Sequence, residues 1–238
     1  MRSDVPDFDR YPFSIPTIHH LDRLALHPAV TFLVGENGTG KSTLLEGIAV
    51  AIGLNPEGGS RNFNFATRES HSELEAYLRV SRGIARPRDS FFLRAESFFN
   101  VASEIERLDE NSNNPLIQTY GGRSLHEQSH GESFISLLLN RFGGSGVYLM
   151  DEPEAALSPV RQMSFLVAIH QLVQHDSQFI IATHSPIILA YPNAWIYELG
   201  DHAARLTTYQ ETEHYRVTRE FLVNPEPMLR VLLSDADA

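Results

Sequence analysis

The segment "GENGTGKST", residues 35–43, constrains the fold of this chain more than any other stretch. It fits the pattern G-x-x-x-x-G-K-[ST], follows the apolar run "VTFLVG" (30–35) and precedes a helical pattern over 41–54. Glycines let a backbone wrap closely around phosphates, and the amides at the start of a helix point at their oxygens. The sequence therefore predicts a buried strand, a phosphate-binding loop and a helix in direct succession.

Individual positions of this loop have predicted roles. Lys41 would reach the β- and γ-phosphates of a nucleotide, and the Ser42 hydroxyl would ligate Mg²⁺. Lys41 is the only lysine among 19 lysine and arginine residues, which indicates a site that requires a compact ammonium. Without a second lysine an N-K-x-D guanine-reading motif cannot occur, so ATP is favoured over GTP. The other predicted nucleotide-binding positions of the loop are Gly35, Asn37, Gly38, Thr39, Gly40 and Thr43.

Two adjacent carboxylates, Asp151 and Glu152, end a second apolar run, "VYLMD" (147–151). Burying either one unpaired would be costly, so the pair indicates a nearby cation or a solvated strand end. Beside a nucleotide-bound Mg²⁺, Asp151 would hold the ion, directly or through water. Glu152 would then orient or deprotonate the attacking water, as a catalytic base.

A third apolar run, 178–183, leads into "ATHSP" and His184. Parallel strands end on the same side of a sheet, so His184 would lie beside the phosphates and donate to the γ-phosphate. A lone histidine in such a place is otherwise a surface or capping residue.

The segment "SHGES" (129–133) is typical of a helix start, since Ser129 and Glu132 form an S-x-x-E capping box. Free amides around Gly131 and Glu132 would make a site for an anion. The same residues also suit an ordinary helix cap, and the local sequence leaves both interpretations open.

A cluster of arginines surrounds one predicted turn between strands over 73–80 and 90–95. One interpretation is a contact with a nucleic-acid backbone. The other is a solvated hairpin, which the net charge of −11 favours because the overall field repels phosphate. The cluster consists of Arg79, Arg82, Arg86, Arg88 and Arg94.

The composition bounds the architecture. The chain has 238 residues, of which 42% are hydrophobic, enough for one substantial core and a small subdomain. The absence of cysteine excludes disulfides, thiolate metal sites and cysteine nucleophiles. The N-terminal stretch lacks an apolar segment and no run approaches 18 apolar residues, so we expect a soluble cytoplasmic protein without membrane insertion.

Strands that alternate with helices predict an α/β fold with a largely parallel sheet. Besides the segments above, the patterns predict helices over 97–110 and 131–142 and a further helix that Ser158 caps. Two short strands over 194–199 and 204–209 and a helical tail from about 213 complete the predicted order.

These motifs, in this order, resemble the ATP-binding-cassette (ABC) ATPases over about residues 28–200. The chain is most similar to the small soluble RecF/SMC-like "AAA family" ATPases, where "DEPEAALSP" and "THSP" have close counterparts. The resemblance implies a P-loop NTPase fold, built as a single ABC-type ATPase head. Its predicted parts are a core (28–55 and 145–200), an antiparallel β subdomain (60–95), a helical signature part (97–142) and a C-terminal helical tail (211–238).

The resemblance also implies an ATP-dependent homodimer that forms head to tail. "SHGES" would be the signature motif, with Ser129, Gly131 and Glu132 touching ATP bound by the partner. "AALSP" (155–159) would be the D-loop. Glu96 would replace the family's glutamine and serve as a third Mg²⁺ ligand. The adenine would stack on an upstream aromatic, for which Tyr11 and Phe13 are the candidates.

The expected function is ATP hydrolysis that switches a partner, a protein or a nucleic acid, in nucleic-acid maintenance or defence. Lys41, Glu152 and His184 would be its catalytic residues, and ATP and Mg²⁺ its cofactors. One alternative is the ATP-binding subunit of a membrane transporter, which the absence of an LSGGQ motif disfavours. Another is a nucleotide-binding regulator that does not hydrolyse, which the presence of both Glu152 and His184 disfavours.

Overall fold

A six-stranded sheet forms the centre of the computed structural model, which describes residues 6–60, 72–84, 86–95 and 130–234. The strands lie in the order β2-β3-β4-β1-β5-β6, and all neighbours pair in parallel except β5 and β6. The predicted α/β fold with a mostly parallel sheet is thereby confirmed. The strands are β1 (Val30–Val34), β2 (Asp89–Arg94), β3 (Gly146–Asp151), β4 (Gln178–Ala182), β5 (Trp195–Glu198) and β6 (Arg205–Thr207).

Helices cover both faces of this sheet, and the central strands β1, β3 and β4 are accordingly buried along most of their length. Successive residues of β1 point to opposite faces: Phe32 packs in one core with residues of α3 and α4, and Leu33 in another with residues of α2. The helices are α1 (Pro16–His19), α2 (Lys41–Ala51), α3 (His130–Arg141), α4 (Pro159–Gln174), α5 (Pro186–Leu189), α6 (Glu213–Val223) and α7 (Pro225–Ser234).

Several helix boundaries follow from local chemistry that the sequence carries. Ser158 caps α4, and its side chain accepts a hydrogen bond from the backbone N–H of Arg161. Pro159 occupies the first helical position, where its missing N–H costs nothing.

None of the helices in the described ranges combines the length and the apolar character needed to cross a membrane.

The prediction of a strand over 73–80 is wrong. Residues Glu73–Tyr77 form a short 3₁₀-helix, because Leu74 is buried against Gly47 of α2 and not at a sheet edge. The strand predicted over 90–95 exists as β2, which pairs in parallel with β3 in the central sheet. The subdomain boundaries stay predictions, and the predicted helix over 97–110 lies outside the described residues.

Tyr148 of β3 packs and hydrogen-bonds with residues near the start of that strand. Its ring is fully buried and stacks on Phe142 at a centroid distance of 4.1 Å. Its hydroxyl lies 2.7 Å from the Gly143 carbonyl, to which it donates, and 3.2 Å from Oδ2 of Asp89. Burial, with Asp89 nearby, raises the pKa of Tyr148, so the hydroxyl stays a donor at neutral pH.

We expect Tyr148→Phe to lower the free energy of unfolding by only about 1 kcal/mol, because both acceptors keep other donors. Arg141 still pairs with Asp89, and the Ser177 hydroxyl still reaches Gly143. Tyr148→Leu should cost about 3 kcal/mol or more, since it also removes the stacked ring. Urea unfolding of the two variants measures the difference; equal losses would mean that the hydroxyl, and not the ring, stabilises this end of the sheet.

Candidate functional site

The backbone of the loop after β1 needs glycine at two places. Gly35 has φ +147°, and a Cβ atom there would lie 2.3 Å from the carbonyl oxygen of Leu199. Gly40, the residue before α2, has φ +95°, and a Cβ atom would lie 2.9 Å from Ile15. No other residue type fits either position without displacing its neighbours. Between them, Asn37 and Gly38 are exposed at the crest of the loop.

Lys41 is buried under this loop, with 4% of its surface exposed. Its Nζ donates hydrogen bonds to the carbonyls of Gly35 (2.8 Å) and Glu36 (2.9 Å). Burial lowers the pKa of Lys41, and the carboxylates of Glu152 and Asp151 oppose that shift. The ammonium is thus held at the centre of the loop by carbonyl oxygens that phosphate oxygens could replace.

Ser42 and Asp151 meet although 109 residues separate them. The Ser42 hydroxyl donates to Oδ1 of Asp151 at 3.0 Å, and Asp151 is 7% exposed. Hard oxygen atoms of this kind, from a hydroxyl and a carboxylate, are the donors that Mg²⁺ prefers. The two residues therefore fit the metal that their motifs predicted. Glu96, the third predicted ligand, lies outside the described residues.

Arg94 departs from the predicted arginine turn. In the sheet register it lies opposite Asp151, with its Nε 3.7 Å from Oδ2 of Asp151 and its Nη1 3.0 Å from Oε2 of Glu46. The parallel pairing of β2 with β3 positions Arg94 beside Asp151 in the site. The sequence alone did not predict this contact. The other members of the predicted cluster are exposed, as expected: Arg79, Arg82, Arg86 and Arg88.

Glu152 has an unusual backbone. Its φ of 50° and ψ of 53° lie in the left-handed region, which few residues other than glycine adopt. Its N–H donates to the Ala182 carbonyl at 2.9 Å, so the strained residue is tied to the end of β4. The Glu152 carboxylate then lies 3.4 Å from Nε2 of His184. The structure thus brings together the predicted base and the predicted histidine.

Glu154 is a member of the site that sequence reasoning missed. One of its carboxylate oxygens accepts from the Thr183 hydroxyl at 2.7 Å, and the other accepts from the N–H of His184. Burial raises the pKa of Glu154, and the hydrogen bonds from His184 and Thr183 oppose the rise. The residue links the turn after β3 to the turn after β4. Its place within "DEPEAALSP" was the only available signal.

His214 is the second residue that was missed. It lies in the first turn of α6, and its Nε2 is 3.0 Å from Nδ1 of His184. Burial lowers the pKa of both histidines. No motif surrounds His214 in the sequence, so only the packing of the tail could reveal it.

The start of α3 lies against the turn that follows Glu152. A Cβ atom on Gly131 would lie 3.0 Å from the Ala156 carbonyl and 2.7 Å from Cδ of Arg161. Arg161 also donates to Glu132 at 3.0 Å. The predicted signature and D-loop segments are therefore neighbours within one chain. Ser129 lies outside the described residues.

The two aromatic candidates for adenine stacking differ in exposure. Phe13 is 4% exposed and packs edge-on against Tyr77 at 4.9 Å between ring centroids, so no base can stack on it. Tyr11 is 61% exposed, and its hydroxyl lies 3.2 Å from Oγ1 of Thr43 in the predicted loop. Of the two aromatics, only Tyr11 therefore remains available for stacking. In the loop itself, Thr39 donates to the Glu36 carbonyl at 2.9 Å.

A family model described as an AAA domain matches residues 14–142, more than half of the chain. The chain belongs to the AAA domain family. A second AAA domain model, described with the AbiEii toxin of type IV toxin–antitoxin systems, matches residues 118–190. The family match, the phosphate-loop motif and the mostly parallel sheet together identify this AAA domain as a P-loop ATPase domain, as its motifs predicted.

Curated relatives of this AAA domain carry ABC transporter names. ABC transporter G family member STR2 of Medicago truncatula is 26% identical in an alignment of length 190 that covers 72% of this chain and 26% of that protein. ABC transporter E family member 1 of Arabidopsis thaliana is 28% identical in an alignment of length 183 that covers 67% of this chain and 29% of that protein. The matched part thus spans less than a third of each relative.

Solved structures of similar fold include heads and cassettes. The SMC head domain from Thermotoga maritima has a TM-score of 0.42 at 14% identity, over 78% of this chain and 92% of that one. A dimeric bacterial ABC transporter cassette has a TM-score of 0.43 at 13% identity, over 79% of this chain and 89% of that one.

Glu154 makes the stability of the folded protein depend on pH, and the sign of this dependence can be tested. Because burial raises its pKa above 4.5, the carboxyl contributes stability that is present below about pH 4.5 and lost as the pH rises through the folded-state pKa. We therefore expect the stability advantage of the wild type over Glu154→Gln to shrink as the pH rises above about 4.5. Urea unfolding across this range measures it, with exposed Glu226→Gln as the control. An advantage that grows with pH would mean that the hydrogen bonds outweigh burial.

Proposed function

We propose that the protein binds and hydrolyses Mg-ATP. One observation carries this proposal: at the end of β3, Asp151 contacts Ser42 while the next residue, Glu152, contacts His184. Asp151, of the proposed metal-binding pair, and Glu152, of the acid–histidine pair, are thus neighbours in sequence, next to the loop that surrounds Lys41. This is the arrangement that phosphoryl transfer to water requires: positioned phosphates, charge neutralisation and an oriented nucleophile.

Separate residues would bind the phosphates, hold Mg²⁺ and activate the attacking water. Phosphate oxygens of ATP would take the place of the Gly35 and Glu36 carbonyls as partners of Lys41. Ser42 and Asp151 would hold Mg²⁺, which neutralises phosphate charge when bound. Glu152 would orient the attacking water and accept its proton.

Two further residues would complete the binding of the nucleotide. His184 would donate from Nε2 to the γ-phosphate, near which its ring would lie. Tyr11, exposed and hydrogen-bonded to Thr43, would stack on the adenine.

We further propose that two copies close head to tail around ATP. The support is the contact between Gly131 at the start of α3 and Ala156 in the turn after Glu152. By resemblance the segment of Gly131 is the signature motif, which meets ATP bound by the partner, and the segment of Ala156 is the D-loop. Their contact supports one shared surface for the proposed dimer. A partner's ATP would then meet "SHGES" through Ser129, Gly131 and Glu132.

The closing of such a dimer would switch a partner, which we propose to be a protein or a nucleic acid in the cytoplasm. The matching family model that is described with a type IV toxin–antitoxin system supports a role in defence. The exposed arginines of the turn offer a surface for phosphate backbones, against an overall charge of −11. They are Arg79, Arg82, Arg86 and Arg88.

Glu152→Gln tests the hydrolysis step, because the amide keeps the shape of the carboxylate but cannot take a proton. We expect turnover of ATP to fall by roughly 10²–10⁴ while ATP still binds. Phosphate release and nucleotide titration measure the two effects, with exposed Glu220→Gln as the matched control. Near-normal hydrolysis would show that another residue orients the water. A wild-type protein that keeps bound ATP intact would favour the non-hydrolysing regulator.

Mixing two inactive variants tests the head-to-tail dimer. Lys41→Ala removes a protomer's own phosphate contact, and Ser129→Arg places bulk and charge where the partner's γ-phosphate is expected. A mixed dimer contains one site with both defects and one with neither, so the mixture should recover part of the ATPase activity. Mixing Lys41→Ala with the double variant leaves a defect in every site and is the control. Recovery in neither mixture, with ATP-loaded protein monomeric in size exclusion, would contradict the dimer.

A further inference from the structure

Two histidine rings meet behind the proposed catalytic turn. Nδ1 of His184 and Nε2 of His214 are 3.0 Å apart, a hydrogen-bonding distance. The pKa of each is lowered, so both rings are neutral at physiological pH. In a neutral ring one nitrogen carries the proton and the other accepts. Either His184 donates from Nδ1 to His214, or His214 donates from Nε2 to His184.

The other side of the His184 ring decides between the two arrangements. Its Nε2 is shielded from solvent, lacks a formal hydrogen bond among the described residues and lies 3.4 Å from the Glu152 carboxylate. If His184 donated from Nδ1, the Nε2 lone pair would face that carboxylate, and the two would repel. If His214 donates instead, Nε2 carries the proton and its N–H is attracted to Glu152. Electrostatics therefore favours His214 as the donor.

We propose that His214 is a positioning residue that holds His184 in the Nε2–H tautomer and fixes the direction of that N–H. This inference rests on the proposed ATPase function, in which the same N–H meets the γ-phosphate. A histidine ring that is held through one nitrogen presents the other in a defined state, as partners of catalytic and metal-binding histidines do elsewhere. His214 acts through His184 and need not touch the nucleotide.

The fold holds His214 firmly enough for this task. Thr212, fully buried, caps α6 by accepting from the N–H of Tyr215 at 3.3 Å, and its hydroxyl donates to the Tyr209 carbonyl at 2.7 Å. The Tyr209 hydroxyl in turn donates to the Pro186 carbonyl, just beyond His184, at 3.0 Å. The start of α6 and the turn of His184 are therefore linked, and Glu154 accepts a hydrogen bond from the backbone N–H of His184.

Three substitutions separate a positioning role from a merely structural one. His214→Gln keeps an N–H donor at this position. His214→Glu has nearly the same shape as the glutamine variant but offers only an acceptor, and His214→Leu removes hydrogen bonding. We expect Leu and Glu to lower kcat by about tenfold or more with ATP affinity changed by less than about threefold, and Gln to retain most of the activity. His170→Gln, which alters another histidine that contacts a tyrosine, Tyr191, is the control.

A double-mutant cycle tests whether His214 acts through His184. His184→Ala should already abolish the benefit of His214, so adding His214→Leu should lower kcat no further. Circular dichroism and thermal unfolding confirm that each variant is folded. If all three His214 variants lose activity equally, or if the losses multiply in the double variant, the proposal is overturned.

A spectroscopic measurement on the nucleotide-free protein needs no hydrolysis at all. Spectra of ¹⁵N-histidine-labelled protein distinguish the two tautomers, and the His184 signals are identified by their loss in His184→Ala. We expect the Nε2–H form in the wild type and in His214→Gln, and a changed tautomer population in His214→Leu. If the wild type binds ATP without hydrolysing it, this result still decides the inference. A wild-type Nδ1–H form, or a tautomer unaffected by His214→Leu, would refute it.

Discussion

The parallel alignment of β3, β4 and β1 is the constraint on which the site depends. Because the three strands run side by side in one direction, their carboxyl ends meet at one edge of the sheet. Each end continues into a turn of the candidate site: Gly35 after β1, Glu152 after β3 and His184 after β4. A strand reversed anywhere in this trio would move its turn to the opposite edge and dismantle the site.

Charge at this edge is balanced by neighbours within the chain. The only lysine is buried among carbonyl oxygens, with Asp151, Glu152 and Glu154 as its electrostatic counterparts. Arg94 lies between Asp151 and Glu46 and offsets part of the negative charge. Charges of both signs lie close together here, and Lys41 and Asp151 are buried, where an unpaired charge would be costly.

The turn after β3 connects the parts that catalysis would have to coordinate. Glu152 is held in a left-handed conformation at its start, and Glu154 binds the turn of His184. Farther along, Ala156 lies against Gly131 in the first turn of α3. This single short segment thus contains the proposed base, contacts the histidine proposed to donate a hydrogen bond to the γ-phosphate, and contacts the proposed dimer surface.

The sequence by itself determined the features that short contiguous patterns encode. The loop around Lys41, the carboxylates after an apolar strand and the parallel sheet all follow from local spacing and burial. Only the tertiary structure decided contacts between distant segments: Arg94 beside Asp151 through the strand register, and His214 against His184 through the packing of α6. Residues far apart in the chain leave no periodic signal, because their meeting depends on how whole elements pack and not on their own neighbours.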